Sequence, residues 1–382
     1  MQLTRRDFGL MGGASLCLAL ARRSEAASPS LFPGEELINA AGFPSLVKYI
    51  KGRPDRPLVV FVPGTSFLAR ISYGFPGGRP ADFLAHWIVE EGYSFLGTSY
   101  PLDHPAYRQV YPEFNVTDWG RQIAAGAQRA IAANGLGNRI IVVGWSMGGK
   151  PVQTVADAAR AAGLDLALFV ALDALPPGPN LFPGNAEQFT LAPDGMVDQA
   201  HSLMPWFIKM MAKQNEINAR TIIPEDIFRA DFTGNPPLDI QGENARFRNG
   251  RIVSDPAAAA ADAGTSRYDS YPAMALMISD STADYPNVLL CRSNWGELIA
   301  QQLYRAHVYP HRERLAGMTG GQWKALQDLF KSAMDRLTVQ IHGTHFLFVG
   351  EHGARAAAKG ITELAERAIQ LDREIDTVLR TR

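Results

Sequence analysis

The sequence predicts an α/β chain: a mostly parallel sheet covered by helices on both faces. Three observations carry that prediction. Fully apolar, β-branched runs such as Leu58-Val59-Val60-Phe61-Val62 recur along the chain. Segments of helical spacing alternate with them. Finally, the run Ile140-Ile141-Val142-Val143 passes through Gly144-Trp145-Ser146-Met147-Gly148-Gly149 straight into an Ala-rich helix, Pro151 to Gly163.

Taken in order, the stretch Glu35 to Lys51 is broken at Gly42-Phe43-Pro44 and reads as an antiparallel edge pair. Pro57 to Val62 is a buried strand ended by Pro63-Gly64-Thr65-Ser66. Ala81 to Glu91 places Phe83, Leu84, Trp87 and Ile88 on one helical face, and Tyr93 to Thr98 is a strand. Thr117 is the expected N-cap of a helix from Asp118 to Ala133, closed by Gly135-Leu136-Gly137. Leu166 to Leu172 is a strand that ends at Asp173. The pattern then changes. Residues 176–286 are rich in Pro, Gly and Asn, carry Met196, Met204, Met210, Met211, Met274 and Met277, and read as a lid or cap inserted between two strands. Those methionines either line an adaptable pocket or pack the cap's own core. The sheet is expected to resume at Asn287 to Cys291, followed by helices over Glu297 to His307 and Gly321 to Met334. A last strand, Leu337 to Ile341, and a long amphipathic helix, Ala354 to Leu379, complete the chain.

The N-terminus reads as an address. Thr4-Arg5-Arg6-Asp7-Phe8 precedes an apolar stretch, Leu10 to Ala21, too short for a permanent membrane span. Ser24-Glu25-Ala26 offers small residues for cleavage, and Leu16 is too bulky for lipid attachment at Cys17. The pattern resembles a twin-arginine export signal over residues 1–26, with Gly9 in place of the usual leucine. It implies export machinery as a partner and a periplasmic or secreted protein. The domain expectation is therefore a signal at 1–26, a first core part at 27–175, the insertion at 176–286 and a second core part at 287–382.

Composition narrows the function classes. The 382 residues are 46% hydrophobic and 20% charged, as in globular chains, and the net charge is -1. Removing residues 1–26 takes away four arginines, Asp7 and Glu25, leaving a mature chain near -3. No basic field argues for nucleic acid or for an anionic membrane. After cleavage Cys291 is the lone cysteine, expected to be buried and inert. No paired Cys/His spacing suggests a metal, and no motif implies a cofactor.

The chemistry starts from the turn. A strand that feeds straight into a helix holds its middle residue in a strained conformation, and the glycines at 144 and 148 remove colliding side chains. Ser146 is thereby lifted clear of the backbone, and the Met147 amide is aimed where a substrate oxygen would sit. A serine hydroxyl needs a base, and the base an orienting acid. His342 and His345 are the candidates at a late strand end. His345, inside the Gly343-Thr344-His345-Phe346 loop, is preferred as base, whereas His307, His311 and His352 read as solvated. Asp173 is preferred as acid, with Glu297 as the alternative.

Taken together, the turn at 144–149, Leu172-Asp173 before prolines, the insertion that follows and Gly343-Thr344-His345-Phe346 resemble the thioesterase branch of the α/β-hydrolase superfamily. The likeness covers about Leu58 to Pro177 and Val288 to the end. It implies an α/β-hydrolase fold with Ser146 as nucleophile, His345 as base and Asp173 as acid. The oxyanion amides would be those of Met147 and of Thr65 or Ser66. Pro63 departs from the pattern, since many relatives place a histidine there. A serine at 146 disfavours dehalogenase and epoxide-hydrolase chemistry, which needs a carboxylate. Because carrier-protein and coenzyme A thioesters are made in the cytoplasm, export favours a small-molecule carboxylic ester as substrate. The alternatives are a thioesterase or acyltransferase of the same fold, and a non-catalytic binding protein.

Overall fold

The structure, a computed structural model, describes residues 30–179, 189–200 and 202–380. Residues 1–26, which read as an export signal, lie outside the described residues. Ten strands are described. β1 (Glu35–Ala40) and β2 (Phe43–Ile50) form the expected antiparallel edge. β3 (Leu58–Val62), β4 (Ser94–Ser99), β5 (Arg139–Trp145), β6 (Asp165–Leu172), β9 (Met274–Ser279) and β10 (Thr338–Ile341) pair in parallel. The eight-stranded sheet runs β1-β2-β4-β3-β5-β6-β9-β10, and a separate ribbon pairs β7 (Ala245–Arg248) with β8 (Arg251–Ser254). β3, β5 and the second half of β6 are buried almost without interruption, which is why they read as continuous apolar runs.

The helices are α1 (Arg70–Tyr73), α2 (Leu84–Glu90), α3 (Val116–Asn134), α4 (Val152–Ala161), α5 (Met204–Ile217), α6 (Glu225–Ile227), α7 (Pro256–Ala263), α8 (Tyr285–Leu303), α9 (Gly320–Arg336) and α10 (Glu351–Arg380). α3 packs on α4, and α10 on α2 and α9, so helices flank the sheet. α3 starts earlier than expected. Asn115, rather than Thr117, accepts the Asp118 amide at 3.0 Å as N-cap, and Gly135 ends the helix in the left-handed region at φ 63°. Thr117 instead ties its own amide and hydroxyl to Asp262. Among the described residues no helix is long and apolar enough to cross a membrane.

One boundary differs from the sequence reading. The strand after the insertion is Met274–Ser279, inside the span read as a lid, while Asn287–Cys291 lies in α8. Pro286 is the reason. In the first turn of a helix its missing N–H and fixed φ cost nothing, so the chain coils there instead of extending. Met274 and Met277 are therefore sheet core, fully packed between β6 and β10, and not pocket lining.

Described parts of the rest of the insertion are tied to the core. Leu68 N donates to the Phe232 carbonyl at 2.9 Å and Gly234 N to the Ser66 carbonyl at 2.9 Å. Lys150, 1% exposed, donates to Glu243 at 2.7 Å and to the Gly178 carbonyl at 3.0 Å. A lysine so buried is tolerable only when paired, so this contact anchors the insertion beside the turn.

Candidate active site

Three strand ends converge on Ser146. At the end of β5 its backbone sits at φ 55°, in the left-handed region a serine seldom adopts. The flanking glycines explain how. A Cβ at Gly144 would lie 2.3 Å from the Gly148 carbonyl oxygen, and one at Gly148 would lie 2.6 Å from that of Val62. No other residue fits where the turn crosses the end of β3. Ser146 itself is 8% exposed, and the one-turn helix it opens, Ser146–Gly149, leaves its first amides, Met147 among them, without intrahelical acceptors.

The loop after β3 forms the second wall. A side chain at Gly64 would bring its Cβ to 2.7 Å from Ser146 Cβ, so this loop lies directly against the nucleophile candidate. Tyr100 donates to the Gly64 carbonyl at 2.9 Å, which turns the Thr65 amide the opposite way across the same planar peptide. Thr65 Oγ1 accepts from Gln241 of the insertion at 2.7 Å, and Ser66 sits at φ 67° with its buried hydroxyl unpartnered.

His345 arrives on the loop after β10. Trp145 Nε1 donates to the His345 carbonyl at 2.8 Å, and the two rings lie 5.2 Å apart, so the residue beside Ser146 holds the histidine in place. From the insertion, Trp206 covers the imidazole at 5.0 Å. Gln214 of α5 accepts from Thr344 N at 2.9 Å and donates to the Val349 carbonyl at 2.8 Å, clamping the loop on both sides of the ring.

The carboxylate that meets this ring is Asp284, on the loop after β9. Its Oδ2 lies 2.8 Å from His345 Nδ1, and its Oδ1 accepts from Asn287 at 2.8 Å. Both polar contacts of the ring run through Nδ1, Asn287 being the weaker at 3.4 Å. Nδ1–H therefore donates to Asp284, and Nε2 keeps its lone pair. Among the described residues no hydrogen bond joins His345 to Ser146. Such bonds often tighten only when substrate is bound.

A model of the alpha/beta hydrolase family matches residues 59–358. The chain belongs to that family. Among solved structures, this alpha/beta hydrolase is similar to a thermophilic esterase from Thermogutta terrifontis, at 12% identity over 87% of this chain and 98% of that one, TM-score 0.46. A variant of AqdC, which cleaves the ring of the Pseudomonas quinolone signal, shares 13% over 87% and 99%, TM-score 0.48. The thioesterase domain of the curacin biosynthetic pathway shares 12% over 86% and 98%, TM-score 0.38. No curated protein matches the chain.

In this hydrolase the residue read from sequence as acid, Asp173, is not the partner of His345. It ends β6, fully buried, and its Oδ1 accepts the Ser279 amide at 2.8 Å. It does stay close: one oxygen of each aspartate and one ring nitrogen of His345 lie within 4.8 Å of one another. Glu297, the alternative, is exposed on α8 and is no partner of the ring. His342 faces solvent and pairs with Asp280 at 3.0 Å. Asp284 escaped the sequence reading because its strand was placed one element too late. Pro286, as a helix-start signal, would have found it.

Burial sets the charges. It pushes the Asp173 carboxyl up to about 7, and the nearby Asp284 charge pushes the same way, against the pull of His345. No hydrogen bond to Asp173 Oδ2 offsets that burial. For His345 burial works against the charged ring, but Asp284, with Asp173 behind it, outweighs burial and raises the pKa above its ordinary 6.5. Cys291 is neutral, its thiol pushed well up by burial and by both aspartates.

Proposed function

We propose that this chain is a serine hydrolase that cleaves a carboxylic ester through an acyl-enzyme, with Ser146, His345 and Asp284 as its triad. The observation that carries the reading is the buried His345 Nδ1–Asp284 bond at 2.8 Å, held by Trp145 beside a serine in the left-handed region. In this reading Nε2 of His345 takes the Ser146 proton as the hydroxyl attacks the acyl carbon. Asp284 fixes the tautomer and stabilises the imidazolium. The Met147 amide, with that of Thr65 or Ser66, holds the tetrahedral oxygen. His345 then protonates the departing alcohol, and water resolves the acyl-enzyme by the reverse sequence. The insertion acts as a lid, Trp206 and Gln241 bringing it over the base and the oxyanion loop.

The export pattern at residues 1–26 supports an oxygen ester over a thioester, and a periplasmic or secreted enzyme. The motif likeness to thioesterases keeps the thioester as the competing substrate. Fluorophosphonate labelling of the wild type, absent in Ser146→Ala, is the expected result, and an unlabelled wild type would point to a binding protein. Paired assays on p-nitrophenyl esters and acyl thioesters decide the substrate, with turnover of thioesters alone overturning the ester. Mass spectrometry of the exported protein should find a chain beginning at Ala27.

A further inference from the structure

One buried carboxyl has no task in the mechanism above. Asp173 Oδ2 has no hydrogen-bond partner, and a buried oxygen left unpaired carries its full desolvation cost. An apolar residue would avoid that cost. The backbone explains only part of the choice. Asp173 sits at φ 40°, where Asp and Asn are the side chains best tolerated, and its Oδ1 receives the Ser279 amide. Asn would meet both demands. What Asn could not do is carry a charge within 4.8 Å of His345.

We propose that Asp173 is a second acid for the same histidine, a positioning residue that holds its proton while Asp284 is charged and accepts Nδ1–H of His345 when Asp284 is removed. This rests on the triad reading. Ends of the adjacent strands β6 and β9 deliver the two acids, so both face one base from neighbouring positions in the sheet. The ionisable groups around Asp173 are Asp284, His345 and the neutral Cys291, beside the Ser279 amide. Of these, only Asp284 opposes a charge on Asp173 by its own negative charge. Without that charge only burial still holds the proton on Asp173, His345 pulls against it, and the ionised carboxylate takes the hydrogen bond from Nδ1. The imidazole keeps the tautomer that leaves Nε2 for Ser146.

The test is a double-mutant cycle in kcat/KM on a p-nitrophenyl ester, with thermal melts of every variant. Loss of an orienting acid without replacement costs about 10⁴-fold. Asp284→Ala is expected to cost less than about a hundredfold, and adding Asp173→Asn should cost a further hundredfold or more, whereas Asp173→Asn alone costs under about tenfold. In Asp284→Ala the activity should rise with pH as Asp173 ionises, and that limb should vanish in the double variant. Equal factors for Asp173→Asn in both backgrounds, or a full loss from Asp284→Ala alone, would overturn the proposal. If Asp284→Ala does not fold, Asp284→Asn, which keeps the packing, enters the same cycle. Ser146→Ala is the separate control: undiminished turnover there would sink the triad itself, whatever the cycle shows.

Discussion

Two histidines three residues apart on one loop meet two aspartates four residues apart on another, and the two pairs live in opposite surroundings. His342 and Asp280 sit 3.0 Å apart with side chains 64% and 37% exposed. His345 and Asp284 sit 2.8 Å apart at 3% and 1%. The pairing chemistry is the same, and water makes the difference. Solvent screens the outer pair, which does no more than tie the loops after β9 and β10 together, helped by the Gly343 amide on Asp280 at 3.1 Å. Inside, low dielectric strengthens the attraction, and two aromatic rings fix the imidazole. Burial, rather than residue type, separates a surface brace from the pair proposed as catalytic.

The sharpest way to break that contrast is to remove each histidine. His345→Ala should lower kcat/KM by about 10⁴-fold or more, and His342→Ala by less than about twofold, measured on the same ester. Similar losses from both would erase the distinction. Next comes the clamp on the inner loop. Gln214→Ala strips the partners from buried Thr344 N and from the Val349 carbonyl, and should destabilise the fold by about 3 kcal/mol in urea titration. An unchanged midpoint would mean that the loop needs no support from α5.

Acidity provides two smaller tests. The proposed reaction needs neutral His345, and its pKa is raised, so kcat/KM should climb with pH through an inflection above 6.5 and level off beyond it. An inflection below 6.5 would show that Asp284 does not hold the ring charged. For Asp173 the folded pKa, about 7, is above its ordinary 3.8, so its contribution to stability is whole below about pH 4 and is lost as pH rises through 7. Melting temperature should therefore fall less between pH 5 and 8 in Asp173→Asn than in the wild type. The smallest effect belongs to the surface. Asp280 is held below its ordinary value: burial raises it, but His342 and the Gly343 amide outweigh burial. Its stabilisation is present above 3.8 and fades as the pH falls through its folded pKa, and Asp280→Asn at neutral pH should cost only about 0.5 kcal/mol.

The strands at the middle of the sheet were legible because a residue buried on both faces has to be apolar, and β3, β5 and β6 are runs of such residues. α10 was legible for a similar reason, with Ile361, Leu364, Leu371 and Ile375 spaced along one buried stripe. β9 was not. Met-Ala-Leu-Met-Ile-Ser has one β-branched residue, Ile278, and the apolar run after Pro286 resembles a strand more closely although it coils as helix. Asp284 lies with that strand inside the span read as a lid, and so was not weighed as an acid.

By itself the sequence determined the alternation of strands and helices, the glycine-flanked turn that strains Ser146, and the histidine loop at the last strand. Local sterics and periodicity act between residues close in the chain, so they can be read along it. Only the tertiary structure decided which aspartate meets His345, and that His342 stays in water. Those outcomes depend on where three loops from separate strands end in space, and on how much solvent the insertion leaves between them.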